Sequence, residues 1–298
     1  MYTTTLIIIY FLIFLSLLCS IYVALFLYRS KKNYLIALYS ASVAIFSVNI
    51  ILSSIWKNEL NKAPFGFCFF QAMFLQYNAI FQMACAFCFA VQTYAQLVLF
   101  HQSPSNTLRK FFLCFIILYP MIMTSILIVF SLRNCAVKPR LLNCDVTDPA
   151  WVRLFGWSGI NQLLSIPGTI LSGRTAYEVY KHMDLLLRSS GTSSAEEIIT
   201  QDSTNQRPKF SRDPFSKKSR SYNITRAAAI RMVTFSLLFA LINVFGCFAS
   251  FAAIMKGASL DKGISSNDWV GATIGIFVFL VFGWPHNFKK VKQIWLNG

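Results

Sequence analysis

Long apolar stretches alternate along this chain with short polar breaks, most of them basic. Seven runs stand out, at about 4–28, 34–56, 68–100, 111–132, 154–180, 227–255 and 268–285. Each comes near or exceeds the ~20 mainly apolar residues that carry a helix across the hydrocarbon of a bilayer. The expected fold is an all-α membrane protein, a single seven-transmembrane helix bundle. The seventh run is the shortest and contains Gly271, Gly275 and Gly283, so its edges are the softest. No basic stretch or small-residue cleavage site marks the first run as a signal peptide, and it reads as a retained span.

The connections are unequal. "RSKKN" is a tight basic turn, and "KNELNKAPFG" carries turn chemistry at Pro64 and Gly66. "HQSPSNTLRK" is short and ends basic, whereas "RNCAVKPRLLNCDVTDPAWVR" is longer and holds two cysteines. The stretch 181–225 is rich in Ser, Thr and charge and poor in apolar residues, and is expected to be a disordered basic loop. At the end, 286–298 sets Phe288, Val291, Ile294 and Trp295 against Lys289, Lys290 and Lys292, as in a short amphipathic helix lying on a membrane surface. No internal repeat is visible.

Polar positions inside the runs follow helical spacing. In the third run Gln71, Asn78, Gln82, Cys85, Phe89, Gln92 and Gln96 recur at intervals of three, four or seven, which is one face of a helix. The other side is Phe, Ala, Met, Val and Leu. Amides are tolerated in lipid where they face the bundle interior or a wet cavity. Segment three is therefore expected at the centre. Two readings of its stripe stand side by side: hydrogen bonds that only join helices, and a lining for a ligand, the latter for Gln71, Asn78 and Gln82. Asn161, Ser165, Thr169 and Ser172 in segment five, and Ser236, Asn243 and Ser250 in segment six, form matching polar stripes. Pro167, inside segment five, is expected to loosen or kink it.

Composition sharpens the membrane reading. Of 298 residues 56% are hydrophobic and only 13% charged, about half the share usual in soluble domains. Lys and Arg near the span ends set orientation. With 181–226 set aside, eight basic residues fall on each side; Lys181, Arg188, Lys217, Lys218, Arg220 and Arg226 break the tie. The expected topology is a plasma-membrane protein with its N-terminus outside and C-terminus inside. The net charge of +16 then reads as basic collars facing an anionic inner leaflet, and no nucleic-acid module is present.

Cys68, Cys135 and Cys144 would face an oxidising compartment, where a disulfide is expected. Cys68–Cys144 would tie the fourth connection across the mouth of the bundle; Cys135–Cys144 would close a local loop. The first is preferred. Cys19, Cys85, Cys88, Cys114 and Cys247 read as small apolar residues. Cys85-x-x-Cys88 has no second pair or histidine nearby, so no metal or cofactor is implied. His101, His182 and His286 lie at the inner edge, and no carboxylate pair or nucleophile motif lies in the runs. Catalysis is not expected. The absence of Lys between Lys262 and Lys289 excludes a retinal Schiff base in the last run.

Seven runs, a tie from segment three to the second outer connection, a long basic third inner loop and a terminal amphipathic helix resemble G-protein-coupled receptors. The acidic-Arg-Tyr and Asn-Pro-x-x-Tyr motifs of rhodopsin-like members are missing, replaced by "LVLFHQS" and "VFGWPHNF". "IWKNELNKAPFGFCFFQA" and "DWVGATIGIFVFLVFG" are similar to stretches of fungal pheromone receptors and related orphan receptors of fungi. The resemblance implies an outside ligand held among Gln71, Asn78, Gln82, Trp157, Asn161, Ser165, Asn243 and Trp269. It also implies a heterotrimeric G protein engaged by His101, Arg174, Lys181, Arg226 and Arg231. Ser219 and Ser221 beside basic residues are candidate phosphorylation sites, and the Asn223-Ile-Thr sequon would lie inside, unmodified. Two other readings remain, a small-solute transporter and a non-signalling structural bundle. Pro120 and Pro167 do not fall at equivalent places in two halves, which argues against the transporter.

Overall fold

A computed structural model describes residues 2–30, 33–56, 59–100, 106–156, 159, 163–196, 234–235, 255 and 266–283. Six α-helices carry the described fold: α1 (Tyr2–Ser30), α2 (Tyr34–Leu52), α3 (Phe65–Tyr94), α4 (Asn106–Arg133), α5 (Ser165–Glu196) and α6 (Ser266–Val278). α3 continues as a π-helical segment, Ala95–Phe100, and α6 as another, Phe279–Gly283. Between α4 and α5 lie a two-stranded hairpin, β1 (Val137–Pro139) and β2 (Cys144–Val146), and a 3₁₀ helix, Ala150–Phe155.

Four of these helical stretches are long and apolar enough to cross a membrane: Thr4–Ser30, Tyr34–Trp56, Phe65–Tyr94 and Asn106–Arg133. They correspond to the first four sequence runs. The seventh run yields a shorter apolar helix, Asp268–Gly283. Most of segment six lies outside the described residues, as does 286–298.

Segment five departs from expectation. Its helix begins at Ser165, not near residue 154, because Gly156 and the 3₁₀ turn precede it. It then runs to Glu196, through the first part of the stretch expected to be a disordered loop. Residues 197–225 lie outside the described residues. Pro167 falls in the first turn of α5, where the N–H that proline lacks would have had no intrahelical partner. It starts this helix and does not kink it.

α1 is apolar all round, so sidedness comes from packing rather than from contrast with water. Its buried positions are Ile9, Ile13, Ser16, Ser20, Val23 and Leu27, a 4-3-4-3-4 seam of the kind that packs at a shallow left-handed crossing. That seam meets α2 and α6. Closest approach is at Gly275, whose N–H donates to Ser16 Oγ at 3.0 Å. A Cβ there would run into Ser16 and Ser20, so only glycine fits this crossing.

α3 is the central helix. It packs against α2, α4, α5 and both strands. Two-thirds of its most apolar window (67%) is buried, against 28% for α1 and for α4, whose remaining faces carry exposed Phe, Ile and Leu. The other sides of α3 are also enclosed, with Met73, Met83, Ala86 and Ala90 buried, where α4 and α5 pack on it. At the end away from the hairpin, Phe235 of segment six sits edge-on to Tyr39, Phe89 and Phe282, with ring centres 5.4, 5.8 and 5.2 Å away. Phe235 thus joins α2, α3 and the segment after α6.

Candidate functional site

The hairpin end of the bundle is built on the first turns of α3. Pro64 caps that helix, and Cys68 follows one turn in. The hairpin turns at 140–143, closed by the Arg140 N–H donating to Asn143 O at 3.0 Å. Its strands pair Val137 with Val146 and Pro139 with Cys144, and Val137, Cys144 and Val146 pack on Leu60, Cys68, Ala72, Met73 and Leu127. A 2.02 Å bond joins the sulfurs of Cys68 and Cys144. Cys135 is free and exposed.

One turn below Cys68, Gln71 is fully buried. Its Nε2 donates to Asn49 O at 2.9 Å and to Ser53 Oγ at 2.6 Å, and its Oε1 accepts the Cys144 N–H at 3.1 Å. Asn49 Nδ2 returns a bond to Gln71 O at 3.4 Å. Gln71 therefore stitches α2, α3 and the hairpin together. Both of its amide hydrogens are taken by the fold itself, the helix-joining alternative of the two readings of the stripe.

Beside it lies a buried ionic network that the sequence did not suggest. Asp145 Oδ1 accepts from Gln76 Nε2 at 3.0 Å and from the Val146 N–H at 2.8 Å. Asp145 Oδ2 lies 3.5 Å from Arg153 Nη2 and 3.8 Å from Arg140 Nη1. Arg140 Nη2 reaches across to Asp268 Oδ2 on α6, at 3.1 Å. Two cations and two anions balance, as buried charges must if they are to stay ionised. On the exposed rim Lys138 pairs with Asp148. The mouth thus has acids, Asp145 and Asp268 bound to arginine and Asp148 to lysine. Nothing in the spacing of Arg140, Asp145, Arg153 and Asp268 announces this cluster, since Asp268 lies 128 residues from Arg140.

Deeper on the same face of α3 the bonding thins out. Asn78 Oδ1 accepts from Ser42 Oγ at 3.5 Å, a long contact, and Asn78 Nδ2 has no partner. Gln82 Nε2, one turn on, has none either. Both side chains are buried. Each unpaired buried amide donor costs about 1–3 kcal/mol, which a ligand acceptor would recover. These two residues carry the unpartnered buried donors that a ligand-lining role calls for.

The other expected ligand residues are not gathered with them. Ser165 lines a shallow groove with Met83, Phe87, Ala90, Gly168 and Phe235. That groove lies on another face of α3, roughly a third of a turn from Asn78 and Gln82. In α5 the hydroxyls of Thr169 and Ser172 donate to Ser165 O and Gly168 O of their own helix, so that stripe is satisfied locally. Trp269 is 38% exposed and shares the outward face of α6 with Phe277 and Leu280, away from buried Ala272, Gly275 and Val278. This is a peripheral position on the helix. Trp157, Asn161 and Asn243 lie outside the described residues.

Of the residues expected to face a G protein, Arg174 and Lys181 lie two turns apart on α5, both exposed. His101, Arg226 and Arg231 lie outside the described residues. Near this end Arg109 of α4 stands over the ring of Tyr34 at 4.7 Å, a cation–π contact joining the starts of α2 and α4. Among the described residues no group of His, Cys, Asp and Glu is placed to hold a metal ion.

No protein-family model matches this chain, and no curated protein matches it.

Proposed function

We propose that the chain is a seven-helix receptor of the plasma membrane, N-terminus outside and C-terminus inside, that senses an outside ligand and activates a heterotrimeric G protein. The observation that carries this reading is the construction of α3. Its hairpin end is bonded to the cap by a disulfide and by Gln71, while Asn78 and Gln82 just below hold unpartnered, buried donors. A central helix that is anchored at one end and under-bonded in the middle suits transmission of a binding event along its length. Trp157, Asn161 and Asn243 would complete the ligand site from segments five and six. Arg174 and Lys181, with His101, Arg226 and Arg231, would face the G protein. The receptors of fungi that respond to pheromone, and their orphan relatives, remain the family this reading points to.

A nucleotide-exchange assay on a heterotrimeric G protein from the same cell tests it. Wild type should accelerate exchange, and Arg226→Ala/Arg231→Ala at matched surface expression should not. Equal exchange with and without the protein, across candidate ligands, would remove the reading. The second reading, a non-signalling structural bundle, draws support from Gln71 and Gln76, whose amides join parts of the fold in the bonds described above.

A further inference from the structure

α6 ends differently from how it begins. Its α-helical part, Ser266–Val278, is pinned to α1 at Gly275, whose N–H donates to Ser16 Oγ. The turn after it, Phe279–Gly283, is π-helical. A π turn closes its bonds over five residues instead of four, so positions three apart stand further apart around the axis than in an α-helix. That spread is in use here. Phe279 meets Tyr22 of α1 edge-on, ring centres 5.6 Å apart, while Phe282 turns away to Phe235 and Phe89, at 5.2 and 6.2 Å. In an α turn the two rings would lean to one side and could not keep both sets of contacts. Gly283 permits the arrangement: a Cβ there would stand 2.5 Å from the Phe279 ring and 3.0 Å from Val23. At the same end, one turn beyond Phe89 on α3, Gln92 Oε1 and Thr93 Oγ1 are buried without partners.

We infer that this π turn is a two-state hinge, which rewinds to an α turn and in doing so releases Phe282 from Phe235. The part of α6 before it is held at the Gly275 crossing, so the residues after Val278 do the moving. Single π turns inside or at the end of α-helices are uncommon and are found often at functional sites. Rewinding trades the edge-on ring contacts of Phe282 for regular helical bonds, two modest and opposite quantities. Phe235 keeps Tyr39 and Phe89 in either state. What breaks is the link between segment six and the end of α6. Water admitted beside Phe89 would also give Gln92 and Thr93 the bonds they lack, which favours the released state. The hinge stands for a receptor and for a structural bundle alike.

Fluorine NMR of the full chain in nanodiscs, with 4-fluorophenylalanine in place of Phe282, tests the hinge, because that ring lies against two others in one state only. Wild type should give two signals. Gly283→Ala, whose methyl the π turn excludes and an α turn accepts, should enrich the second signal severalfold. Deletion of Leu280, an exposed residue, takes the extra position out of the turn. Phe282 then keeps its direction in a regular helix, and only the first signal should remain. If wild type and the deletion give the same single signal, the turn has one state and the proposal falls; this comparison holds even if Gly283→Ala fails to fold. A Gly283→Ala spectrum equal to that of wild type, with a lower unfolding midpoint, overturns it as well, since the glycine would then only avoid a clash.

Discussion

Gln71 and Gln82 share one face of α3, three turns apart, and the sequence treats them alike. In the fold they have opposite fates. Gln71 sits where the end of α2, the hairpin and α3 converge, and each converging backbone brings a group that the amide can bond. Gln82 sits three turns further along, away from that converging backbone, and its Nε2 finds nothing. An amide in an apolar helix is thus glue where irregular backbone is close and an open donor where it is not. In a bundle, irregular backbone gathers at the ends, so the glue is found there.

Removing the covalent part of the anchored end should have the largest effect. Cys68→Ala releases a link across 76 residues and is expected to cost about 2–5 kcal/mol, seen as a lower unfolding midpoint under non-reducing conditions. An unchanged midpoint would mean that the hairpin is held without it. Gln71→Leu comes next, at roughly 3 kcal/mol, since it orphans the Cys144 N–H, Asn49 O and Ser53 Oγ together. Limited proteolysis within 134–149 should quicken in parallel, and no change in cleavage would undo the role assigned to Gln71.

A similar loss, about 1–3 kcal/mol, is expected for Gly275→Ala, which forces α6 away from Ser16 and Ser20. The control is Gly173→Ala, at a glycine with open space around its Cβ position; equal losses in the two would deny the close crossing. Gln82→Leu should sit at the other pole of the comparison. Because its donor is already unpaired, stability should hold within about 1 kcal/mol or rise, while ligand-driven nucleotide exchange disappears. Exchange that survives in Gln82→Leu and Asn78→Leu would leave the pair without a ligand role. Smallest of all is Trp269→Leu, expected to move stability by less than about 0.5 kcal/mol from its outward-facing position and to leave exchange intact.

Hydropathy alone carried the reading of the first four helices, because about twenty apolar residues in a row have few other stable arrangements. The spacing of Gln71, Asn78 and Gln82 likewise placed α3 at the centre, since amides in lipid must turn inward. Segment five was misread at both ends for a related reason. Apolar content runs continuously from residue 154, but Gly156 and Pro167 start the helix later, and hydropathy does not register a helix start. The helical continuation to Glu196 holds Met183, Leu185, Leu186 and Leu187 among polar and charged residues, too short an apolar cluster to read as a span.

What the sequence determined by itself was therefore local: which stretches are helical and apolar, and which face of α3 is polar. What only the tertiary structure decided was the fate of each polar group. Arg140, Asp145, Arg153 and Asp268 come together across 128 residues, Gln71 is saturated and Gln82 is not, and Trp269 faces outward. Helical periodicity is set by neighbours three and four residues away and can be read along the chain. Hydrogen-bond satisfaction depends on which distant backbone or charge arrives within 3 Å or so, and that is fixed only when the helices pack.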